Sequence, residues 1–378
     1  MASAPSLPIG LIDVRGTNYD VGHQMGQTFK SRIQEAANLQ LVRDYDTPLG
    51  NEIYSSYLKV AEDVYPHYVR ELQGIADGSG IPFRYLFLKL ITCEYQSLLG
   101  DVPLKSIGGE GCTDLILNSE DQDIIVHCED TKPDMANGYI VHAHIQPSDS
   151  NPREEKFVSY CDPGMLPGST FAVNAHGIGM TNNRLYQKGI TNKNAIARKL
   201  LNRALLSSEN LEDTIRIIKT PPGIASAVNL NLVIKERGRG KASFYSIEIS
   251  HSPDGSVIDV AHYKDGFSHY VNMYQRSNVD QIKKEGSIHR ATRLQEFSKP
   301  KGMKDMLDMI SDTSNTKYPI YRNCTPPDIC TTACVGAYDV RNDRLYIFRE
   351  NPRECHYQPV AVFNTQDLTQ ETFTTFSP

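Results

Sequence analysis

A single cysteine, Cys112, stands at the end of a glycine-rich run and could act as a nucleophile. The run is Gly108-Gly109-Glu110-Gly111, and Thr113 follows the cysteine. Glycine has no Cβ, so the Gly111 carbonyl tolerates a strained backbone and stays open to attack by the neighbouring thiol. The attack would form a thioester, and water would then release the upstream piece. The alternative is a small buried cysteine at a loop–strand junction, which the tripeptide alone favours.

Cleavage between Gly111 and Cys112 would leave the cysteine with a free α-amine. The reference pKa of an α-amine is about 7.7–8.0, compared with about 10.4 for lysine. Such an amine can act as the general base for its own thiol near neutral pH without a histidine. The catalytic interpretation therefore predicts that the chain cuts itself before Cys112 and uses the new N-terminal cysteine.

Three other positions could assist this nucleophile. Asp130 ends the second strand predicted after Cys112, so a hairpin could return its carboxylate to the new amine, although turn aspartates are common there. The amide of Asn229 could form part of an oxyanion hole, and Asn231 is an equal candidate on spacing alone. Arg293 is either a surface cation on a helix or part of a buried polar network, and the sequence favours the surface.

Metal and cofactor chemistry find little support in the sequence. His142 and His144 share a face of a predicted strand, but no third ligand stands near them. Cys324, Cys330 and Cys334 do not have the Cys-x-x-Cys spacing of zinc sites. The eleven histidines form no local signature of a Cys-His hydrolase, and the chain has neither a phosphate loop nor a dinucleotide fingerprint. We expect no metal and no cofactor.

The elements before Cys112 are predicted to be helical. Thr17 and Asp20 have the spacing of a capping box, and apolar residues then recur every fourth position, as on one face of a helix. A second helical stretch covers 53–75, where Pro66 divides or kinks it. A third, short helix ends near Cys93. The connection over 98–111 is predicted to be exposed.

After Cys112 the hydrophobic period changes to that of strands. Predicted strands cover 114–117, 124–128, 139–145, 157–160, 170–173, 178–181, 229–234, 243–249, 257–261, 334–338 and 345–348. Two helices interrupt them, over 195–206 and 211–219. Asp254-Gly255 and Asn342-Asp343 are predicted hairpin turns. This order predicts packed layers of sheet and helix.

Composition places the chain among globular proteins. Its 378 residues are 39% hydrophobic and 22% charged, which argues against disorder. The net charge of −6 gives no basic footprint for nucleic acid, and no apolar run is long enough to span a membrane. The first residues lack a secretory signal pattern, and eight cysteines are too sparse for a disulfide scaffold. We therefore expect a cytoplasmic protein.

An ordered series of short segments runs from about Arg15 to about Pro352. The segments are Arg15-Gly16-Thr17-Asn18-Tyr19, Gly22, Met25-Gly26, the stretch 69–78, Gly111-Cys112, Glu129-Asp130, Leu166-Pro167-Gly168, Arg203-Ala204-Leu205-Leu206, Tyr245-Ser246-Ile247-Glu248, Ser252-Pro253 and Tyr270-Val271-Asn272. Together they resemble the acyl-coenzyme A:6-aminopenicillanate acyltransferase family. Its members are N-terminal nucleophile hydrolases, made as precursors that cut themselves before a cysteine.

The resemblance implies a fold, a processing step and residue roles. The fold is α+β, a four-layer αββα sandwich formed by one domain, 1–378. Self-cleavage would give an α fragment, residues 1–111, and a β fragment, residues 112–378. Cys112 matches the nucleophile, Asp130 the aspartate that organises the new amine, Asn229 the oxyanion asparagine and Arg293 a supporting arginine.

The implied activity is hydrolysis of a linear amide through an acyl-enzyme on Cys112. Within the family, the chain is most similar to members that hydrolyse N-β-alanyl conjugates of biogenic amines, releasing β-alanine with dopamine or histamine. Acyl transfer from a thioester donor to an amine and a non-catalytic binding module are the alternatives. The expected partners are a small-molecule amide and the chain's own two fragments, with no nucleic acid and no membrane. A homo-oligomer of αβ units is left open, and the sequence does not place a subsite for the cationic β-alanyl end.

Overall fold

Helices make up most of the chain before residue 100. The computed structural model describes residues 8–36, 45–100, 111–189, 192–235 and 241–371. After strand β1 (Gly10–Gly16), the first part contains α1 (Asn18–Thr28), α2 (Lys30–Glu35), α3 (Pro48–Val64), α4 (Pro66–Ser79), α5 (Phe83–Leu90) and α6 (Thr92–Leu99). Thr17 and Asp20 form the predicted capping box at the start of α1. Pro66 begins α4, because the first turn of a helix tolerates a residue without an N–H.

Strands dominate after residue 111 and form two sheets. They are β2 (Gly111–Asn118), β3 (Asp123–Thr131), β4 (Tyr139–Ile145), β5 (Glu155–Cys161), β6 (Phe171–Asn174), β7 (Ile178–Arg184), β8 (Val228–Ile234), β9 (Ser243–Ser252), β10 (Gly255–Tyr263), β11 (Gly266–Tyr270), β12 (Thr331–Asp339), β13 (Arg344–Phe348), β14 (Ala361–Asn364) and β15 (Gln370–Glu371). Sheet A has the order β1-β4-β5-β6-β7-β8-β9-β10, and sheet B has the order β11-β2-β3-β12-β13-β14-β15. Strand β1 pairs with β4 in parallel, whereas the other named pairs are antiparallel.

Four α-helices lie within the described ranges of the strand-rich part. They are α7 (Arg198–Leu205), α8 (Leu211–Ile218), α9 (Glu285–Gln295) and α10 (Met303–Ile310). Helices α7 and α8 correspond to the two helices predicted over 195–206 and 211–219, whereas the sequence analysis predicts no range for α9 or α10. Both predicted hairpins are present: β9 turns into β10 with Gly255 at a φ of 119°, and β12 turns into β13 with Asp343 at a φ of 54°.

Three apolar cores show how the layers stack. The first joins the helices from α1 through α8 with one face of sheet A. The second lies between the sheets, where Ile140 and Phe171 of sheet A belong to the same cluster as Ile125 and Ile347 of sheet B. The third joins the other face of sheet B to Leu294 of α9 and to helix α10. The order is helix, sheet, sheet, helix, so the predicted α+β, αββα sandwich is confirmed.

A buried ion cluster connects the first helical part to the strands. Arg203 on α7 donates to Glu71 on α4 at 2.8 Å and to Glu155 on β5 at 2.7 Å. Asn18 donates to Glu71 at 2.7 Å, and the Arg203 guanidinium lies over the Tyr68 ring. The side chains of Arg203 and Glu71 are fully buried. Asn18, Glu71 and Arg203 lie in three of the segments that carry the family resemblance. The cluster gives these three residues one shared structural role.

The predicted exposed connection over 98–111 falls mostly on residues 101–110, which lie outside the described residues. Its two ends differ from the prediction: Leu98 and Leu99 are half-buried at the end of α6, and Gly111 is buried in β2. Among the helices of the described ranges, none combines the length and apolar character that crossing a membrane requires.

Candidate active site

The β2–β3 hairpin positions Cys112 among polar side chains. Cys112 pairs with Glu129, Asp114 with His127, and Gly111 with Asp130 in the register of these strands. Side chains alternate along a strand, so Cys112, Asp114, His127 and Glu129 share one face. That face points towards sheet A, because the Asn231 amide of β8 donates to Asp114 at 2.7 Å. All four side chains are buried between the sheets.

Hydrogen bonds connect these four side chains in a row. Asp114 Oδ1 lies 2.6 Å from His127 Nδ1, and His127 Nε2 lies 3.1 Å from Glu129 Oε2. The Cys112 thiol in turn donates to Glu129 Oε2 across 3.7 Å. The side chains of Asp114 and His127 are fully buried, whereas that of Glu129 keeps 7% exposure. The row therefore opens towards solvent at its Cys112–Glu129 end.

This environment raises the pKa of the Cys112 thiol and that of the His127 imidazole. Burial, followed by the Glu129 charge, raises the pKa of the Cys112 thiol to about 12. Burial alone would lower the pKa of His127, but the adjacent Asp114 carboxylate outweighs it and raises that pKa well above 6.5. Two like charges about 4 Å apart repel by about 4 kcal/mol at an effective dielectric constant of 20. The Glu129 carboxylate therefore disfavours the thiolate form of Cys112 in the uncleaved chain.

The two candidate oxyanion asparagines form part of the same polar layer. Asn229 donates its amide to Asn231 Oδ1 at 2.9 Å and accepts from Ser246 at 2.8 Å. Asn231 uses its own amide on Asp114 and Asn183. Asn229 is thus connected to the strand of Cys112 through Asn231 and Asp114.

Arg290 and Asn272 hold the backbone of Cys112. The Cys112 N–H donates to Asn272 Oδ1 at 3.0 Å, and Arg290 donates to the Cys112 carbonyl at 2.5 Å. Arg290 also donates to Thr113 Oγ1 at 2.6 Å and to Asn272 Oδ1 at 2.9 Å. Both peptide units around the candidate nucleophile are therefore fixed by side chains, which suits a reacting backbone.

Asp130 lies on the other face of β3, beside Gly111. Its Oδ1 accepts from Thr332 at 2.8 Å, and its Oδ2 lies 3.9 Å from Arg290 and 3.8 Å from Arg322. Within the described ranges, Asp130 Oδ2 is a buried oxygen without a hydrogen bond. Burial raises the pKa of Asp130, against the opposing effect of the two arginines. The carboxylate lies close to Gly111, because a Cβ at that position would stand 3.4 Å from Asp130 Oδ2.

The structure places Arg293 away from this group. Arg293 donates to Asp312 at 2.8 Å and to Glu296 at 2.6 Å, and its side chain is 27% exposed. The arginine that contacts Cys112 is Arg290, about one turn earlier on α9. The sequence contains a signal for it: Gly286, Arg290 and Leu294 recur every fourth residue on the buried face of the helix, and Arg293 falls off that face.

The sequence also contains weak signals for the other residues that surround Cys112. Asp114 follows Cys112 by two positions, and His127 precedes Glu129 by two, so strand alternation puts each pair on one face. Asn272 belongs to a segment that supports the family resemblance, although no role was predicted for it. The pairing of the strands, which only the fold supplies, brings the two faces together.

A cavity of about 460 Å³ lies on the α9 side of the nucleophile. Arg290 and Arg322 line it beside the Cys112 backbone, together with Tyr186, Lys284 and Tyr318. Burial, followed by Arg184, lowers the pKa of Lys284 to about 8. The cavity offers aromatic faces and cationic donors next to the reacting peptide.

Three donor atoms of the site could also meet at a metal ion. Cys112 Sγ, His127 Nε2 and a Glu129 carboxylate oxygen lie within 4.8 Å of one another. Thiolate, imidazole and carboxylate are all ligands of Zn²⁺. The two histidines that the sequence offered as metal ligands have other partners. His142 pairs with Asp13, and His144 pairs with Glu154. The expected absence of a metal and a cofactor stays a prediction.

Known proteins match most of the chain. Residues 117–354 match the family described as acyl-coenzyme A:6-aminopenicillanic acid acyl-transferase. A curated relative, the beta-alanyl-dopamine/carcinine hydrolase of Drosophila melanogaster, is 30% identical, and the alignment covers 94% of this chain and 97% of the relative.

Two solved structures are also similar. A C2A mutant of conjugated bile acid hydrolase from Clostridium perfringens has a TM-score of 0.38 at 9% identity, covering 70% of this chain and 97% of that one. Penicillin V acylase from Agrobacterium tumefaciens has a TM-score of 0.37 at 10% identity, covering 67% of this chain and 84% of that one.

Proposed function

Because the chain belongs to the acyl-coenzyme A:6-aminopenicillanic acid acyl-transferase family, we propose that it is a self-cleaving thiol amidohydrolase. Its proposed substrates are N-β-alanyl conjugates of biogenic amines, as the name of the 30% identical relative indicates. The observation that carries the proposal is the position of Cys112. It is a cysteine near the start of β2, and both of its peptide units are held by buried side chains.

Self-cleavage uses the peptide bond between Gly111 and Cys112. The thiol adds to the Gly111 carbonyl, the carbon–nitrogen bond breaks, and the thiol proton ends on the new α-amine. Water then hydrolyses the thioester, which leaves a carboxylate on Gly111 and restores the thiol. Asn272 and Arg290 hold the peptide in place, and Asp130 Oδ2 lies near Gly111 on the other side of the bond that breaks. The products are the α fragment, residues 1–111, and the β fragment, residues 112–378.

Turnover uses the same thiol with the new amine as its base. The α-amine of Cys112 takes the thiol proton, the thiolate attacks the amide carbon, and the amine product leaves with a proton. Water hydrolyses the resulting acyl-enzyme to release β-alanine. We assign Asn229, with a backbone N–H, to stabilisation of the oxyanion. We assign Asp130 to holding the amine, and Arg290 takes the supporting role that the resemblance gave to Arg293.

We propose that the cavity beside Arg290 binds the amine half of the substrate. Tyr186 and Tyr318 give its wall aromatic surface for a catechol or imidazole ring, next to the cations that lie over the Tyr186 ring and the His289 ring beside Tyr318. We also propose a cytoplasmic location, which suits eight cysteines that form no disulfide with one another.

Two measurements test the function. Purified protein is incubated with β-alanyl-dopamine or with carcinine and no thioester donor, and the free amine is quantified. We expect release of dopamine or histamine, and we expect Cys112→Ser to lower it by at least about 1,000-fold. Cys355→Ser is the matched control, because that half-buried cysteine lies outside the site. Wild-type turnover in Cys112→Ser would refute the assignment of the nucleophile.

The alternatives give different results in the same experiment. Product formation only when an acyl-coenzyme A and an amine are supplied would identify an acyltransferase. An intact chain on a denaturing gel, with no free Cys112 amine on N-terminal sequencing, would identify a non-catalytic binding module.

A further inference from the structure

Resting on the proposed function, we infer that Arg322, together with Arg290, binds the carboxylate that self-cleavage leaves on Gly111. Cleavage converts the carbonyl of this buried residue into a carboxylate. A Cβ at Gly111 would collide with Nη1 of Arg322 and would stand 3.3 Å from Nη2 of Arg290. Two guanidinium groups therefore flank the residue on which the new negative charge forms.

The new carboxylate lies within reach of Arg322. A Cβ and the carbonyl carbon of one residue are about 2.5 Å apart by standard geometry, so Nη1 of Arg322 lies within about 5 Å of the Gly111 carbonyl carbon. A carboxylate oxygen stands about 1.2 Å from its carbon, and a charge-assisted N–H···O bond spans about 2.7–2.9 Å. A small movement of the chain end, which cleavage releases from Cys112, is enough to form this bond.

Arg322 is held in place and has an N–H group to spare. Its Nε donates to Asp328 Oδ2 at 2.7 Å, its Nη2 donates to Asp328 Oδ1, and its backbone N–H donates to Thr332 Oγ1 at 2.9 Å. Among the described residues, Nη1 makes no hydrogen bond, and Asp130 Oδ2 is 3.8 Å from it. The side chain is 7% exposed and lines the cavity on the α9 side. A guanidinium fixed in this way loses little freedom when it binds a carboxylate.

Cleavage adds one charge of each sign beside these arginines. In the uncleaved chain, the positive charges of Arg290 and Arg322 lie next to the carboxylates of Asp130 and Asp328. The cut creates a carboxylate on Gly111 and an ammonium on the cysteine that follows it. The proposed function assigns Asp130 to the ammonium, which leaves Nη1 of Arg322 for the carboxylate. Each new charge thereby gains a partner of opposite sign.

Protection of Gly111 from a carboxypeptidase measures this contact. The self-cleaved protein is incubated with the protease, and mass spectrometry follows the loss of Gly111 from the α fragment. A synthetic peptide of residues 101–111 is the unprotected reference. Because trimming requires a free chain end, its rate follows the fraction of protein in which the carboxylate is released. We expect the wild type to be trimmed at least about 10-fold more slowly than the peptide, because a hydrogen bond between charged groups contributes at least that factor.

Substitutions at Arg322 should remove the protection. Arg322→Lys keeps a cation for Asp328 but replaces the fork of donors by one ammonium, so it should speed trimming by at least about 10-fold. Arg322→Gln combined with Asp328→Asn leaves no buried carboxylate without its partner and should have the same effect. Arg344→Gln is the matched control, because it breaks an ion pair with Glu371 on other strands of sheet B, and it should leave the protection unchanged.

Competition by a free acid tests the same contact without a variant. Acetylglycine reproduces the end of the α fragment, and acetylglycinamide has the same shape without the charge. At about 100 mM and matched ionic strength, the acid exceeds the millimolar effective concentration of a tethered group. Acetylglycine should therefore speed trimming of the wild type by displacing Gly111, whereas acetylglycinamide should not.

Three results would overturn the inference. They are a wild type trimmed as fast as the peptide, protection that persists in both Arg322 variants, and equal displacement of Gly111 by acetylglycine and acetylglycinamide. Failure of the proposed function gives a different result, because an uncleaved chain runs as one band on a denaturing gel and contains no α fragment to trim.

Discussion

Arg290 and Arg293 lie on the same helix and contact different parts of the molecule. Arg290 is buried and donates to the Cys112 carbonyl, Thr113 and Asn272. Arg293 bridges Asp312 and Glu296 near the surface. A buried arginine that bonds a reacting peptide holds its geometry, whereas a partly exposed ion pair contributes about 0–1 kcal/mol to stability.

We therefore expect the same substitution to have a large effect at Arg290 and a small effect at Arg293. Arg290→Gln should slow self-cleavage and lower amide hydrolysis by about 100-fold, because the Cys112 carbonyl and Asn272 lose their buried donor. Arg293→Gln should keep both rates within about threefold of wild type. Cleavage on denaturing gels and kcat/KM with β-alanyl-dopamine measure the two effects. Comparable losses in both variants would show that the helix, and not the Arg290 contacts, matters.

Two helices of the first part approach each other at backbone distance. Gly22 and Gly26 on α1 face Gly74 and Gly78 on α4, and a Cβ at Gly22 would collide with the backbone oxygen of Glu71. The same contact explains why these glycines appear in the segments that support the family resemblance. It also places Glu71 where Arg203 and Asn18 reach it.

At the scale of elements, we expect Gly22→Ala to lower the free energy of unfolding by about 1–3 kcal/mol or more, because the extra methyl separates α1 from α4. The change should exceed the gain of about 1 kcal/mol that alanine brings to a helix. Urea denaturation in a Cys112→Ala background, which keeps one covalent chain, measures it. Ser55→Ala on the exposed face of α3 is the control and should change stability by less than about 0.5 kcal/mol. An unchanged midpoint in Gly22→Ala would contradict the close contact.

The proposed cut divides the chain without dividing the core. Strand β1 of the α fragment pairs with β4 of the β fragment along seven positions, from Gly10↔Tyr139 to Gly16↔Ile145. The Phe29 ring stacks on Tyr139 with centroids 3.8 Å apart. The buried cluster of Glu71 with Arg203 and Glu155 also crosses the division.

For the whole molecule, we therefore expect the two fragments to remain associated after cleavage. The self-cleaved protein should elute as one species in size-exclusion chromatography and give two bands on a denaturing gel. The Cys112→Ala variant should elute at the same volume and give one band. Separate elution of the fragments without denaturant would show that the interface does not hold them together.

The sequence by itself determined the family, the type of most major elements and the position of the candidate nucleophile. These follow from local information: the glycine run before Cys112, the change of period after it, and short segments whose order is preserved along the chain. Both the family prediction and the αββα fold are confirmed. Residue roles stay predictions, as do the two fragments.

Tertiary structure decided which side chains surround Cys112. Arg290 instead of Arg293 reaches it because a helix presents one face to a sheet, and a residue three positions away misses the contact. Glu129 lies beside the thiol because β2 and β3 pair in one register, and a shift by one residue would turn its carboxylate to the opposite face. Such contacts join residues far apart in the chain, so no local pattern specifies them.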